Sequence, residues 1–243
     1  MCNMCGQNSH HGFAPTRRGL LLGASVMSVA WAASARAKEA KAPPKPQNVV
    51  SSDAALERLE DGNERYVKGV TRRHDFKHER EALAGGQNPF AAILSCADSR
   101  IAPEYAFDSA RGDLFVCRVA GNFATDETLA SLEYGVAVLN VPLILVLGHD
   151  ACGAIDATIK SIKDGTTLPG HLPTLVTGLT PAVKGVMEHG GNLLDNAIRQ
   201  NVLDTVSKLK AATPILSAAV ENKKLKVVGG IYRLKDGEVD MIV

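Results

Sequence analysis

From Phe90 onward the chain alternates short, continuously apolar runs with longer segments in which apolar residues recur at helical spacing. The runs Phe90–Ser95, Leu114–Val119, Leu143–Gly148 and Lys226–Tyr232 are bounded by turn-forming residues, and their length and continuity predict strands buried on both faces. Between them, Leu129, Leu132, Val136 and Leu139 predict a helix from about Glu127 to Leu139. Ile155, Ile159 and Ile162 mark a second, and Leu193–Leu209 a longer amphipathic one. Leu172–Glu188 also reads as helical, with breaks expected around Gly178-Leu179-Thr180-Pro181. Upstream, Ser51-Ser52-Asp53 opens a helix to about Lys68, with Leu56, Leu59, Asn63 and Tyr66 along one face. The stretch from there to Asn88 is polar and predicts no element, while Glu238–Val243 reads as an edge partner of the last strand across Lys235-Asp236-Gly237. Strands alternating with helices predict an α/β fold: a mostly parallel central sheet flanked by helices, preceded by an N-terminal arm helix.

The first residues follow a different pattern. Arg17-Arg18 precede an apolar run from Leu20 to Ala33, and Ala35-Arg36-Ala37 forms a small-x-small cleavage pattern. Residues 1–37 therefore read as a signal peptide of twin-arginine type, the address of folded cargo for the twin-arginine export machinery. Residues 38–50, with Pro43, Pro44 and Pro46, read as an extended linker, and residues 51–243 as one domain. The expected location is periplasmic or extracellular. Cys2-Asn3-Met4-Cys5 with His10 and His11 looks metal-like, but it lies in the part expected to be removed.

Composition narrows the classes. The 243 residues are 45% hydrophobic and 22% charged with a net charge of +1, ordinary for a soluble globular chain. There is no basic excess to neutralise phosphates, so no nucleic-acid partner is expected. The longest apolar stretch of the mature part, Val136–Leu147, is interrupted by Asn140 and Pro142, so no stable membrane span is expected there. The mature part keeps three cysteines, Cys96, Cys117 and Cys152, an odd count that argues against a disulfide framework.

The chemistry sits at two strand ends. Ser95-Cys96-Ala97-Asp98-Ser99-Arg100 follows the first strand, and Gly148-His149-Asp150-Ala151-Cys152-Gly153 follows the third. Ligands of open α/β sheets collect at the carboxyl ends of strands, so topology brings both loops to one place. Cys96, His149 and Cys152 supply two thiolates and one imidazole, a zinc set that leaves a fourth position for water or substrate. An extended chain after Ser95 would turn Cys96, Asp98 and Arg100 to one side, and Asp150 would cap a helix that holds Cys152 in its first turn. Cys117 reads as a small buried hydrophobe.

With C-x-D-x-R and H-x-x-C at these places, the chain resembles the β-class carbonic anhydrases over roughly Ser52–Val243. Supporting matches are Gly112-Asp113-Leu114-Phe115-Val116, Arg118-Val119-Ala120-Gly121-Asn122 and Ala130-Ser131-Leu132-Glu133-Tyr134-Gly135. The resemblance implies zinc (Zn2+) on Cys96, His149 and Cys152, with an Asp98–Arg100 catalytic dyad. It further implies a homodimer or higher homo-oligomer, and reversible hydration of carbon dioxide to bicarbonate and a proton by zinc-bound hydroxide. In the family's closed forms the residue matching Asp98 is itself a metal ligand, so Asp98 belongs to the candidate metal set as well. Some bacterial members carry a Trp three residues before the first cysteine that builds an inhibitory bicarbonate pocket; Ile93 stands there, so that regulation is not implied. Two other functions fit the same features: hydrolysis of carbonyl sulfide or carbon disulfide at the same zinc, and a non-catalytic zinc-binding assembly subunit. The second would predict loss of Asp98 or Arg100, and both are present.

Overall fold

The structure is a computed structural model, and residues 49–243 are described. The expected signal peptide, the cysteines and histidines inside it and most of the linker lie outside the described residues.

Five strands form one sheet: β1 (Ala91–Ser95), β2 (Leu114–Arg118), β3 (Leu143–His149), β4 (Lys226–Tyr232) and β5 (Val239–Met241), in the order β2-β1-β3-β4-β5. The first four are parallel, and β5 returns antiparallel to β4 with Ile231 opposite Asp240. Strand alternation divides the core in two. Ala92, Leu94, Ile144 and Val146 face one side, Ala91, Ile93, Leu145 and Leu147 the other, and β1 and β3 are buried throughout.

The first side is covered by α4 (Asp126–Ala137), α5 (Gly153–Asp164), α6 (Leu172–Val186), α7 (Leu193–Lys210) and α8 (Ile215–Glu221). Close approach needs missing side chains: a Cβ on Gly148 or Gly229 would stand 2.7 or 2.6 Å from Val202 of α7. The other side is covered by α1 (Ser52–Val67) and the short α3 (Pro103–Ala106), with Ala55, Leu59 and Phe107 in its core; α2 (Phe76–Leu83) lies between α1 and β1 in sequence and buries no residue. Asn63 fixes α1 in place. Its Nδ2 donates to Ala106 O at 2.9 Å and Gly237 O at 2.8 Å, and its Oδ1 accepts from the Val239 amide at 2.9 Å. That satisfies a buried amide and joins α1 to α3 and the β4–β5 turn. Arg58–Asp113 (2.8 Å) and Arg65–Asp108 (2.6 Å) add ion pairs along the same helix.

Some expectations need correction. Pro181 does not break α6, which runs through it; the Thr177 and Thr180 hydroxyls also bond the carbonyls four residues back, of Pro173 and Val176, and Gly178 leaves room for the Phe123 ring. The polar stretch before Asn88 contains α2. Cys117 is only half-buried, because β2 is an edge strand. Among the described residues, no helix is long and apolar enough to cross a membrane.

Candidate metal centre

β1 and β3 are neighbours in the sheet, so the loops leaving their carboxyl ends meet. The ligand atoms of Cys96, His149 and Cys152 lie within 4.8 Å of one another, and all three residues are buried. His149 is the last residue of β3 and fully enclosed. Its Nδ1 stands 2.8 Å from the Asp150 carbonyl, which can only accept, so Nδ1 carries the proton and Nε2 is left with a lone pair. Nε2 is buried without a hydrogen-bond partner among the described residues. An orphaned imidazole nitrogen beside two sulfurs is the signature of a ligand, and the set fits zinc.

The sulfurs share their environment. The Cys96 thiol is drawn down, chiefly by the contact with Cys152, against the cost of burial and with help from His149 and the Gly121 amide, which donates to Sγ at 3.3 Å. Cys152 is pushed up by the same contact and by burial. Burial opposes charge on His149, yet its contact with Cys96 outweighs that and raises it. Two sulfurs crowded this closely share the burden of ionisation, which a divalent cation bound to both thiolates and to the imidazole lone pair would relieve.

The chain after Ser95 does not stay extended. A turn closes at Asp98, whose carbonyl accepts from the Ile101 amide at 3.2 Å. Asp98 and Arg100 still meet, within that turn: Asp98 Oδ1 accepts from the Arg100 amide and Nε, each at 2.9 Å, and Oδ2 accepts from the guanidinium at 2.7 Å. The bidentate pair holds the Asp98 carboxyl well below the usual carboxylate range. Oδ2 stands 3.9 Å from His149 Nε2, at the edge of the donor set. Arg100 also reaches the Ala151 carbonyl at 3.4 Å, linking the two loops, and Ala151 takes a left-handed φ of 48° to present it. Asp150 is not the helix cap. Cys152 itself occupies that position before α5, and the Asp150 carboxylate accepts from the Leu234 amide at 3.0 Å instead.

Sequence reasoning gave no role to Arg118, the last residue of β2. Its Nε donates to Cys96 O at 2.9 Å and its terminal nitrogen to Asp98 O at 2.7 Å and Ile101 O at 2.9 Å. The role of Asn201, whose Nδ2 donates to Gly121 O at 2.7 Å, was also missed. Neither leaves a signal in spacing, because each acts across the fold on main-chain atoms.

A parallel sheet with an open Cys2His donor set at two strand ends defines a zinc enzyme of α/β class. The carbonic anhydrase family model matches residues 91–239. Carbonic anhydrase 2 of Mycobacterium tuberculosis H37Rv is 42% identical over 185 residues, 76% of this chain and 89% of that one. The carbonic anhydrase of Mycolicibacterium smegmatis is 38% identical over 189 residues, 77% and 92% of the two chains. Among solved structures, the β-carbonic anhydrase CcaA matches with a TM-score of 0.61 at 28% identity, covering 78% of this chain and 92% of that one. A tetrameric β-carbonic anhydrase from Sordaria macrospora matches in fold, with a TM-score of 0.59 at 22% identity over 92% and 96% of the two chains. The chain belongs to the β-class carbonic anhydrase family. It is a zinc lyase, a carbonate dehydratase that interconverts carbon dioxide and bicarbonate.

Proposed function

We propose that Cys96 Sγ, His149 Nε2 and Cys152 Sγ hold the zinc and that Asp98 and Arg100 are the catalytic dyad beside it. The observation that carries the ligand assignment is the buried, partnerless Nε2 of His149 against two buried sulfurs. Zinc, when bound, supplies a Lewis acid that acidifies water and makes hydroxide available near neutral pH. Asp98 has no proton to give at that pH, because Arg100 keeps it ionised; it accepts a hydrogen bond and so selects the orientation of the attacking oxygen. Arg100 holds the carboxylate from two sides, through Nε on one oxygen and a terminal nitrogen on the other. Asp98 is thus a hydrogen-bond acceptor in role, with its carboxylate turned to Arg100 rather than to the sulfurs.

The ligand assignment is tested by metal analysis of Cys152→Ser. The variant is expected to lose stoichiometric zinc and carbon dioxide hydration together; full zinc occupancy would contradict the assignment.

Two further readings belong here. The enzyme is a homo-oligomer, supported by the aromatic side chains it leaves in solvent. Phe76 and Tyr105 are 65% and 75% exposed beside a cavity of about 570 Å3, and α2 buries no residue within its own chain. It is exported to the periplasm or beyond through the twin-arginine machinery, supported by Arg17-Arg18, the apolar run and Ala35-Arg36-Ala37. Folding and loading zinc before export would protect two reactive thiolates from an oxidising compartment.

A further inference from the structure

Arg118 ends β2 opposite Ser95, the last residue of β1, and its side chain runs back along the loop that follows β1. Three main-chain carbonyls of that loop, those of Cys96, Asp98 and Ile101, accept its hydrogen bonds at 2.7–2.9 Å. They span the segment from the first sulfur donor to the residue after Arg100. Among the described residues Arg118 forms no ion pair, so its charge-assisted donors go to neutral carbonyls. The Asp98 carbonyl receives two donors, Arg118 and the Ile101 amide that closes the turn. Besides Arg118, main-chain donors and acceptors just after β2 also reach this segment: the Ala97 amide donates to Val119 O at 3.2 Å and the Gly121 amide to Cys96 Sγ at 3.3 Å, but neither touches residues 98–101.

We propose that Arg118 is a positioning residue for the reaction: its guanidinium fixes the backbone of residues 96–101, and so holds the Asp98 carboxylate at one distance from the Cys96 sulfur. This rests on the roles given above to Cys96, Asp98 and Arg100. A planar fork with donors on both edges can bridge carbonyls of three residues at once, which a lysine ammonium on its flexible stem cannot. Displacing an orienting group by about 1 Å is enough to cost on the order of a hundredfold in rate.

The test compares zinc-loaded wild type, Arg118→Ala and Arg118→Lys by zinc content, kcat, KM and amide hydrogen exchange over residues 97–101. Arg118→Ala is expected to keep stoichiometric zinc and a KM within about twofold of wild type, while kcat falls about 10- to 100-fold. Exchange over 97–101 should quicken with the rest of the sheet unchanged, and Arg118→Lys should recover only a minor part of kcat. Wild-type exchange over 97–101 in Arg118→Ala overturns the proposal, and so does a raised KM with kcat intact, which would make Arg118 a substrate contact. The exchange measurement needs no substrate. If wild type itself failed to hydrate carbon dioxide, the roles of Asp98 and Arg100 would fall while the loop result still judged Arg118.

Discussion

At the scale of single residues, Asp98 is placed so that its charge and its geometry come from the same contacts. Arg100 occupies both carboxylate oxygens, which keeps the group ionised, and leaves Oδ2 at the rim of the donor set. Replacing Asp98 by Asn removes the charge and turns an N–H donor toward a guanidinium that has none to accept it. We expect Asp98→Asn to retain zinc on its three other ligands while kcat and kcat/KM fall by about 10- to 1000-fold. Zinc content and carbon dioxide hydration measured on one preparation decide this; full activity with zinc bound would leave Asp98 a structural partner only. The donor atoms were legible in the sequence because C-x-D-x-R and H-x-x-C sit directly after continuous apolar runs. The turn at Asp98 was not. An isolated stretch such as Ala97-Asp98-Ser99-Arg100 carries no Gly or Pro to announce it, and the carbonyls that fix it bond an arginine about twenty residues away.

At the scale of elements, the junction of α1 with the loop after α3 is built on Asp108. Its carboxylate accepts from Arg65 Nε at 2.6 Å, Thr71 Oγ1 at 2.7 Å and the Arg72 amide at 3.1 Å, and its side chain is almost fully enclosed. Burial alone would raise the group; the Arg65, Thr71 and Arg72 bonds outweigh it and bring it below the ordinary carboxylate value. A lowered folded-state pKa stabilises the fold above the unfolded value of about 3.9, and that stability is lost as pH falls through the folded value. Asp108→Asn suits the left-handed φ of 40° at this position, so it adds no backbone strain; it removes the charge and turns one amide N–H toward Arg65 and Arg72 nitrogens that can only donate. It should destabilise the enzyme by about 1–3 kcal/mol at pH 7, with the gap to wild type closing below about pH 4. Denaturant titrations of both proteins at pH 7 and pH 3.5 check it; an equal gap at both values would show that the charge is not responsible. Elements that bury a periodic face were readable in advance, which covers β1 to β4, α1, α4, α5 and α7. Helix α2 has no buried face to create such a period, and α3, at four residues, is too short to show one. The third shortfall, α8, follows Pro214 directly and buries only Leu216. Pro181 misled in the opposite sense: a proline inside the pattern predicts a break, yet α6 runs on past it to Val186.

At the scale of the whole molecule, the proposed export signal precedes the carbonic anhydrase domain in one sequence. Arg17→Lys with Arg18→Lys is expected to leave the precursor in the cytoplasm, while the wild-type chain matures to an N-terminus near Lys38. Fractionation and N-terminal sequencing check this, and the mature enzyme should show no tryptophan fluorescence, since Trp31 is the single tryptophan of the chain. Unaffected secretion of the double variant would remove the twin-arginine reading. The central claim is that the Cys96–His149–Cys152 centre, loaded with zinc, hydrates carbon dioxide. It is tested most directly by stopped-flow hydration on the metal-free chain titrated with zinc, with carbonyl sulfide as a competing substrate. The account predicts that carbon dioxide hydration rises with zinc and saturates at one ion per chain, with carbonyl sulfide turned over far more slowly. Zinc bound at one ion per chain without carbon dioxide hydration, or with carbonyl sulfide as the faster substrate, would contradict it.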